Sequence, residues 1–471
     1  MAGGAVGDGI IVDLSRLRQL HLDHAARLAE VGAGVTRSML DAAARRAGLW
    51  FPVDPSSGAF CTLGGMAATN AAGPRSLKHG SMRAWVEWVA CVFADGTPAV
   101  VRRGQPPLQR RVPAALARYE SRKSSLREEA ARLKLPAVRK DSSGYGWREF
   151  ARSGELVDLI VGSEGTLALI TGLRLRLSVV PNATATILAA FPSLEGAVAG
   201  AAAARAVGAA ACELLDRTFL EVAGSERRLP VAGDSDAVLL IELDAPNDVE
   251  AAAAAQALGS ALVASSVILG VDSESADELW SLRHAVSPIL SRLPATTQSM
   301  QFIEDCAVPP DSLPAFVRGV RAALDRHGRR GVIFGHAGDA HVHVNPLIDI
   351  TQANWRETVE LLLDEVVDLT VRLGGTLSGE HGDGRLRAPL LHRTRDPAEL
   401  DLAASLKAIF DPDGLMNPGV KIPMAGQRPL EDIKYDPNLP PLPTAARRAL
   451  DRVATERAYD QARLELLDEA G

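Results

Sequence analysis

The chain has 471 residues, 47% of them hydrophobic, enough to bury a large core and to divide into two or three domains. A net charge of −7 and an aromatic content of 4% exclude a protein that coats nucleic acid, which needs a basic surface or aromatic stacking platforms. The four cysteines, Cys61, Cys91, Cys212 and Cys306, stand far apart with no C-x-x-C pair. That spacing excludes a local zinc ribbon or iron–sulfur cluster and predicts buried, reduced thiols.

In chain order, the opening "MAGGAVGDGIIVDLSRL" has no basic region followed by an apolar run, so neither a signal peptide nor a membrane anchor is expected there. The Ala-rich stretch 187–215 is interrupted by Pro192, Glu195 and Arg205 before it reaches the roughly 20 apolar residues of a membrane span. The expectation is a cytoplasmic protein, at most peripheral at the inner face of the membrane, with no transmembrane segment. To about residue 103, apolar runs ("GIIVDL", "WVACVFADG") read as strands around an amphipathic helix near 35–48, a mixed α/β pattern. Residues 104–141 carry an excess of Arg and Lys and read as a solvated basic insertion containing one helix, or else as a contact for a partner protein or an anionic surface. From about 182, "TATILAAF" and "AVLLIELDAP" read as strands, "SLEGAVAGAAAARAVG" and 248–262 as helices, together an α+β layer. Trp355, Val359, Leu362, Val366 and Leu369 step by three and four along a further helix that ends at the glycine pair 374–375. Beyond about 424 the chain turns Pro-rich and closes in a charged, helical tail, 425–471.

The chemistry concentrates in two segments. "GHAGDAHVHVN", 335–345, holds three of the ten histidines, and its flanking apolar runs predict strand, turn, strand. His341 and His343, two apart, share one strand face, and His336 can fold back beside them. Neutral imidazoles gathered on one face suit a divalent metal when their second nitrogens are pinned, and Asp339 is a candidate for that pinning. In "GGTLSGEHGDGRLR", 374–387, Glu380 and His381 lie between glycines. Adjacent residues cannot face the same way on a strand or helix, so one completes a metal site while the other points at substrate. Two imidazoles and a carboxylate make a three-ligand open site compatible with zinc, manganese or iron. Arg385 and Arg387 read as surface ion pairs, with contact to a second substrate carboxylate as the alternative. The stretches 51–73 and 158–175 are rich in small residues whose backbone can approach a phosphate or a flat ring, and 158–175 places its turn between two apolar strands. Neither fits G-x-G-x-x-G, so a Rossmann NAD site is not indicated.

"PSSGAFCTLGGMAATNAAG", "DLIVGSEGTLALIT", "LWSLRHAVSPIL", "FIEDCAVPP", "GHAGDAHVHVNP", "SGEHGDG" and "FDPDGLMNPG", in this order, resemble the FAD-linked oxidase family, the D-2-hydroxy acid dehydrogenases related to vanillyl-alcohol oxidase. The resemblance implies an α+β chain: a partial FAD-binding domain over 1–181, beginning at the end of the family's pyrophosphate loop, then a cap domain with an antiparallel sheet over 182–424. It implies flavin contacts at Pro55, Thr62, Gly64, Gly65, Asn70, Gly73, Gly80, Glu164, Gly165, Ile170 and Asn417. It assigns the metal to His336, His343 and Glu380, the base to His381 and the substrate carboxylate clamp to Arg283, and it leaves His341 without a role. The implied reaction is oxidation of a D-2-hydroxy acid of the lactate, glycolate or 2-hydroxyglutarate type to the 2-oxo acid, with hydride passing to FAD. With no cysteine-rich C-terminal region, electrons would leave to a separate electron-transfer protein or a quinone. Two rival readings use the same residues: a metallohydrolase with zinc on the three ligands, and a shortened, noncatalytic subunit that has lost FAD.

Overall fold

The computed structural model describes residues 3–456 except 8, 110–111, 226–229, 231–234, 291–292, 295, 432 and 434–435. Residues 457–471 of the expected helical tail lie outside the described residues; Thr444–Glu456 of that tail is helical.

The first sheet is built from β1 (Leu20–Asp23), β2 (Leu28–Gly32), β4 (Val86–Val92), β5 (Pro98–Arg102), β6 (Gln105–Leu108) and β7 (Leu169–Arg176), in the order β1-β2-β7-β4-β5-β6 with antiparallel neighbours. β3 (Leu49–Trp50) and β8 (Ser178–Val179) pair separately. Val89, Leu173, Leu175, Trp147, Phe150 and Ile160 pack in the core of this layer. Helix Pro397–Phe410, far along the chain, returns to it and buries Leu402, Leu406 and Phe410 there, with Phe410 against Phe93 and Tyr119.

The second sheet contains β9 (Ala183–Phe191), β10 (Ala211–Asp216), β11 (Ala237–Ala245), β12 (Ser266–Gly270), β13 (Thr297–Ser299), β14 (Arg330–His336) and β15 (His341–Asp349), ordered β12-β9-β11-β10-β14-β15-β13 and antiparallel throughout. Its central strands β9, β10 and β11 are largely apolar on both faces because both faces are covered. Ile187, Leu214, Leu239, Ile333, Val342 and Val344 meet helices Leu194–Ala206, Leu313–Arg326 and Trp355–Arg372. Leu188, Leu215, Leu240 and Val332 meet helices Arg217–Gly224 and Ser273–Leu290 on the other face. The two-residue period that assigns these faces also decides where the histidines point.

Two expected strands are absent. "GIIVDL" is not extended into a sheet, and Ile10 is 95% exposed. β-branched composition favours a strand, but ladder pairing needs a neighbour, and none of the described strands lies alongside. The first arm of 158–175 is a short helix, Leu156–Ile160, buried at every position. So short an apolar run carries no period that separates helix from strand. The basic insertion holds the expected helix, Ala114–Ala130, yet its end is not solvated: Lys140 is buried between the two layers. Among the described residues no helix is long and apolar enough to cross a membrane.

Glu399, on the returning helix, is buried beside Arg395 at 3.7 Å, and its Oε2 has no hydrogen-bond partner. Burial, aided by Asp141 and Asp383 against Arg395, pushes its carboxyl up to about 7. Because the folded state then holds this proton more tightly than the unfolded chain, the group costs stability as pH rises from its unfolded value to about 7. Urea denaturation should show Glu399→Gln more stable than the parent at pH 8, by roughly 1–3 kcal/mol, and no more stable at pH 4.5; an equal gain at both pH values would contradict the assignment.

Candidate active site

The β14–β15 hairpin pairs His336 with His341 and Phe334 with His343, so the register sets three imidazoles on one sheet face, the face that carries Val332 into the smaller core. Ring centroids lie 4.8–5.3 Å apart. Gly335 adopts φ +143° inside β14, where a Cβ would strike His341 O at 2.9 Å.

The glycine-bracketed turn comes to this face because Asp305 pulls it there. The Asp305 carboxylate accepts the backbone N–H groups of Glu380 (3.3 Å) and His381 (2.9 Å) and the Ser378 hydroxyl (2.6 Å), while its own carbonyl accepts Gly379 N–H (2.8 Å). Gly379 permits the approach, since a Cβ would lie 2.8 Å from the His341 ring. The turn is neither strand nor helix, so the alternation argument fails: Glu380 and His381 both face the cluster, with 3.7 Å between His381 Nε2 and Glu380 Oε1.

Glu380 Oε1 lies 3.3 Å from His336 Nε2 and 3.4 Å from His343 Nε2. Donors around a cation at roughly 2.0–2.2 Å stand about 3–3.5 Å apart, so this triplet fits a metal. His341 belongs to the same group, all of whose candidate donor atoms lie within 4.8 Å of one another. The second nitrogens are pinned: His343 Nδ1 at 2.8 Å from Glu304 O, and His336 Nδ1 at 2.5 Å from Glu213 Oε1. The pinning carboxylate is therefore Glu213 and not Asp339. Asp339 lies in the tight turn past β14, where its side chain leaves the sheet face and accepts Ser76 Oγ (2.7 Å) and Arg139 Nε (3.0 Å) from the first layer.

Glu213 is hidden in sequence inside "AACELLD", a strand buried at every position of β10; an acid with apolar neighbours on both sides is the available signal, Asp216 being the cap of the following helix. Its other oxygen accepts Arg283 Nε at 2.8 Å, and the Arg283 guanidinium lies 4.7 Å over the Phe334 ring. One buried carboxylate thus joins the expected clamp to an expected ligand. Three further residues complete the cluster. Lys140 Nζ lies 3.0 Å from Glu380 Oε2, Glu304 Oε1 lies 3.2 Å from His381 Nδ1, and Arg387 donates to Glu304 at 2.7 Å. Arg387 is buried, contrary to the expected surface pair, because Glu304 needs a counter-charge; Arg385 instead donates to Gly3 O and Asn417 Oδ1.

These contacts set the protonation states. Burial alone would raise the carboxyl of Glu380, yet Lys140 and His336 hold it well below the usual range, and His336 and Arg283 do the same for Glu213. Burial pushes the His341 imidazole down to about 4 and lowers His343, leaving both neutral with lone pairs. Against burial, Asp305 and Glu304 push His381 up to about 9, and Glu213 raises His336.

Of the residues expected at the flavin, Thr62 caps helix Leu63–Thr69 by accepting Gly65 N–H, and Gly64 packs where a Cβ would meet Ala33 Cβ at 2.6 Å. Asn70 and Gly80 border a cavity of about 330 Å³ that also reaches Lys140, Asp339 and Gly379 at the edge of the histidine cluster. Pro55, Thr62, Gly65, Gly80, Gly165 and Asn417 keep exposed surface, whereas Gly73 and Ile170 are buried. A Cβ on Gly80 would meet only Ala84, at 3.7 Å, and one on Gly165 only Asn417 Nδ2, at 4.0 Å, so a flat ring can approach both. The Glu164 carboxylate is turned inward, accepting Asp383 and Gly384 N–H and pairing with Lys421 at 2.9 Å, and Asn417 Nδ2 donates to Glu164 O at 2.6 Å. The partly exposed backbone of this stretch fits a flavin.

Two layers, the second a seven-stranded sheet with a histidine cluster at its margin, define a two-domain flavoprotein of the vanillyl-alcohol oxidase architecture. Residues 180–420 match the model of the FAD linked oxidases, C-terminal domain, and residues 1–102 that of the FAD binding domain. The chain is 30% identical over 425 residues to D-lactate dehydrogenase of Archaeoglobus fulgidus, covering 89% of this chain and 83% of that protein. It is 30% identical over 420 residues to glycolate oxidase subunit GlcD of Bacillus subtilis (87% and 79%) and 29% over 431 to D-2-hydroxyglutarate dehydrogenase of Xanthomonas citri pv. viticola (89% and 81%). Among solved structures, 4-ethylphenol oxidase from Gulosibacter chungangensis superposes with a TM-score of 0.60 at 12% identity, covering 88% of this chain and 80% of that one, a likeness of fold. The chain belongs to the FAD-linked oxidases and is an FAD-linked oxidoreductase.

Removing Glu213 tests the double contact. Glu213→Ala should cost about 3–5 kcal/mol in denaturant unfolding, because Arg283 is left buried and unpaired. Glu213→Gln should fold but bind metal about 10–100-fold more weakly. Unchanged metal affinity in Glu213→Gln would show that Glu213 does not support His336.

Proposed function

We propose that the protein oxidises a D-2-hydroxy acid to the 2-oxo acid, with His336, His343 and Glu380 holding a divalent metal, Arg283 clamping the substrate carboxylate and His381 acting on the hydroxyl proton. The observation that carries the reading is the convergence of His336, His343, Glu380 and His381, with Arg283 linked to them through Glu213, in a chain of this family. The relatives named for D-lactate, glycolate and D-2-hydroxyglutarate support the substrate class and leave its side chain open.

When bound, FAD supplies the hydride acceptor and a divalent cation the Lewis acid that acidifies the hydroxyl. The chain's residues bind, orient and move the proton. With Nε committed to Glu213, Arg283 offers its two Nη groups to a carboxylate as a bidentate contact, steadied by the Phe334 ring. Because Glu304 occupies Nδ1 of His381, proton exchange falls to Nε2, and 19% of that side chain remains exposed for a substrate to reach. Asp305, Glu304 and Glu380 favour protonated His381 against burial, and a cation held at Glu380 would oppose that pull, so base function would depend on the ion. The flavin contacts implied by the resemblance, Pro55 to Asn417, belong to this proposal, as does the division at 181/182 and 424/425, although helix Pro397–Phe410 packs back into the first layer and Leu430 into the second. A separate electron-transfer protein or a quinone is the proposed acceptor.

A metallohydrolase accounts for the ligands and leaves the FAD-binding match unexplained. The test is anaerobic mixing of flavin-loaded protein with D- and L-2-hydroxy acids. The flavin band should bleach with a D-acid, and chelation should slow the bleaching. His381→Ala should retain flavin and slow reduction about 10²–10⁴-fold. A protein that takes up no FAD, or whose flavin no 2-hydroxy acid reduces, would contradict the proposal.

A further inference from the structure

We infer that His341 is a fourth protein ligand, so that the metal is held by three imidazoles and one carboxylate. The inference rests on the proposed metal reading and goes beyond the three-ligand set of the resemblance, which gives His341 no part.

The ring is fully buried. Its Nε2 lies 2.9 Å from Asp305 Oδ1, and that carboxylate's other partners, the Ser378 hydroxyl and the backbone N–H groups of Glu380 and His381, all donate to it. A carboxylate so placed is an acceptor, so Nε2 carries the hydrogen and Nδ1 is left with the lone pair. That Nδ1 has no hydrogen-bond partner and faces Glu380 Oε2 at 4.0 Å. A histidine kept only for packing would be expected to satisfy both nitrogens, as buried polar atoms generally do. Here one nitrogen is pinned by a carboxylate and the other is bare and aimed at the cluster, the arrangement a metal-ligating imidazole adopts. The rings of His336 and His343 stand 5.3 and 4.8 Å away, close enough for one ion to meet all three. Gly379 reinforces the reading, because any side chain there would push the His341 ring out of line.

A third imidazole changes which ion the site prefers. Nitrogen donors favour borderline cations such as cobalt and zinc over manganese, which oxygen donors suit better. With four protein ligands, a substrate hydroxyl needs a five- or six-coordinate ion.

The test uses the purified chain stripped of metal by chelation and titrated separately with cobalt(II) and manganese(II), comparing the parent, His341→Asn, His341→Gln and His336→Asn. His341→Asn and His341→Gln should bind cobalt at least tenfold more weakly and manganese nearly as well as the parent. X-ray absorption of the cobalt-loaded parent should resolve three imidazoles, a result that does not depend on any variant folding. Parent-like cobalt affinity in the His341 variants with loss in His336→Asn, or absorption from two imidazoles, would overturn the inference and leave the three-ligand reading standing. A parent that binds neither ion would remove the metal reading and this inference with it.

Discussion

A carboxylate taken out of water must be matched by positive charge or hydrogen bonds, and Glu380 is one that meets this demand from both layers. Its two oxygens lie against Lys140 on one side and His336 and His343 on the other, all four groups buried. Around it sit Glu213, Glu304 and Asp305, each with its own cationic or imidazole partner. No member can be removed without leaving a neighbour uncompensated. This shared requirement holds the hairpin, the glycine-bracketed turn and the end of the basic insertion in one place.

The seven-stranded sheet makes the cluster possible. On one face of the sheet His336, His341 and His343 stand at the hairpin end of β14 and β15, and Glu213 joins them from β10, where Ala211 and Leu215 flank it on the same apolar face. The histidines lie at the margin of a hydrophobic face, and Glu213 is set into it. The first layer closes that margin: Ser76 and Arg139 reach Asp339, Lys140 reaches Glu380, and Arg75 pairs with Glu242 of β11 while its guanidinium lies between the Trp50 and Trp280 rings. A flavin resting on the first layer and a substrate held by the second would therefore meet where the two sheets are tied.

Local patterns in the sequence were read well. The two-residue spacing of His341 and His343, the turn before them and the helix of Trp355 all carry periods that a few residues reveal. Long-range partnerships carry none. Lys140 and Glu380 are 240 residues apart, His336 and Glu213 123, and Arg283 and Glu213 70. Asp339 is a candidate for pinning in the sequence because it is near along the chain, while Glu213 holds the place because it is near across the sheet. Likewise, adjacency set Glu380 against His381 only under a regular backbone, and hydrogen bonds to Asp305 remove that regularity.

The most direct measurement is anomalous diffraction, at the absorption edge of the loaded ion, from crystals of the chain grown with FAD and a divalent metal. The account predicts a single strong peak within roughly 2.0–2.4 Å of His336 Nε2, His343 Nε2 and an oxygen of Glu380, with the flavin ring beside it. An ion bound elsewhere, no ion at all, or a flavin remote from His381 would contradict it.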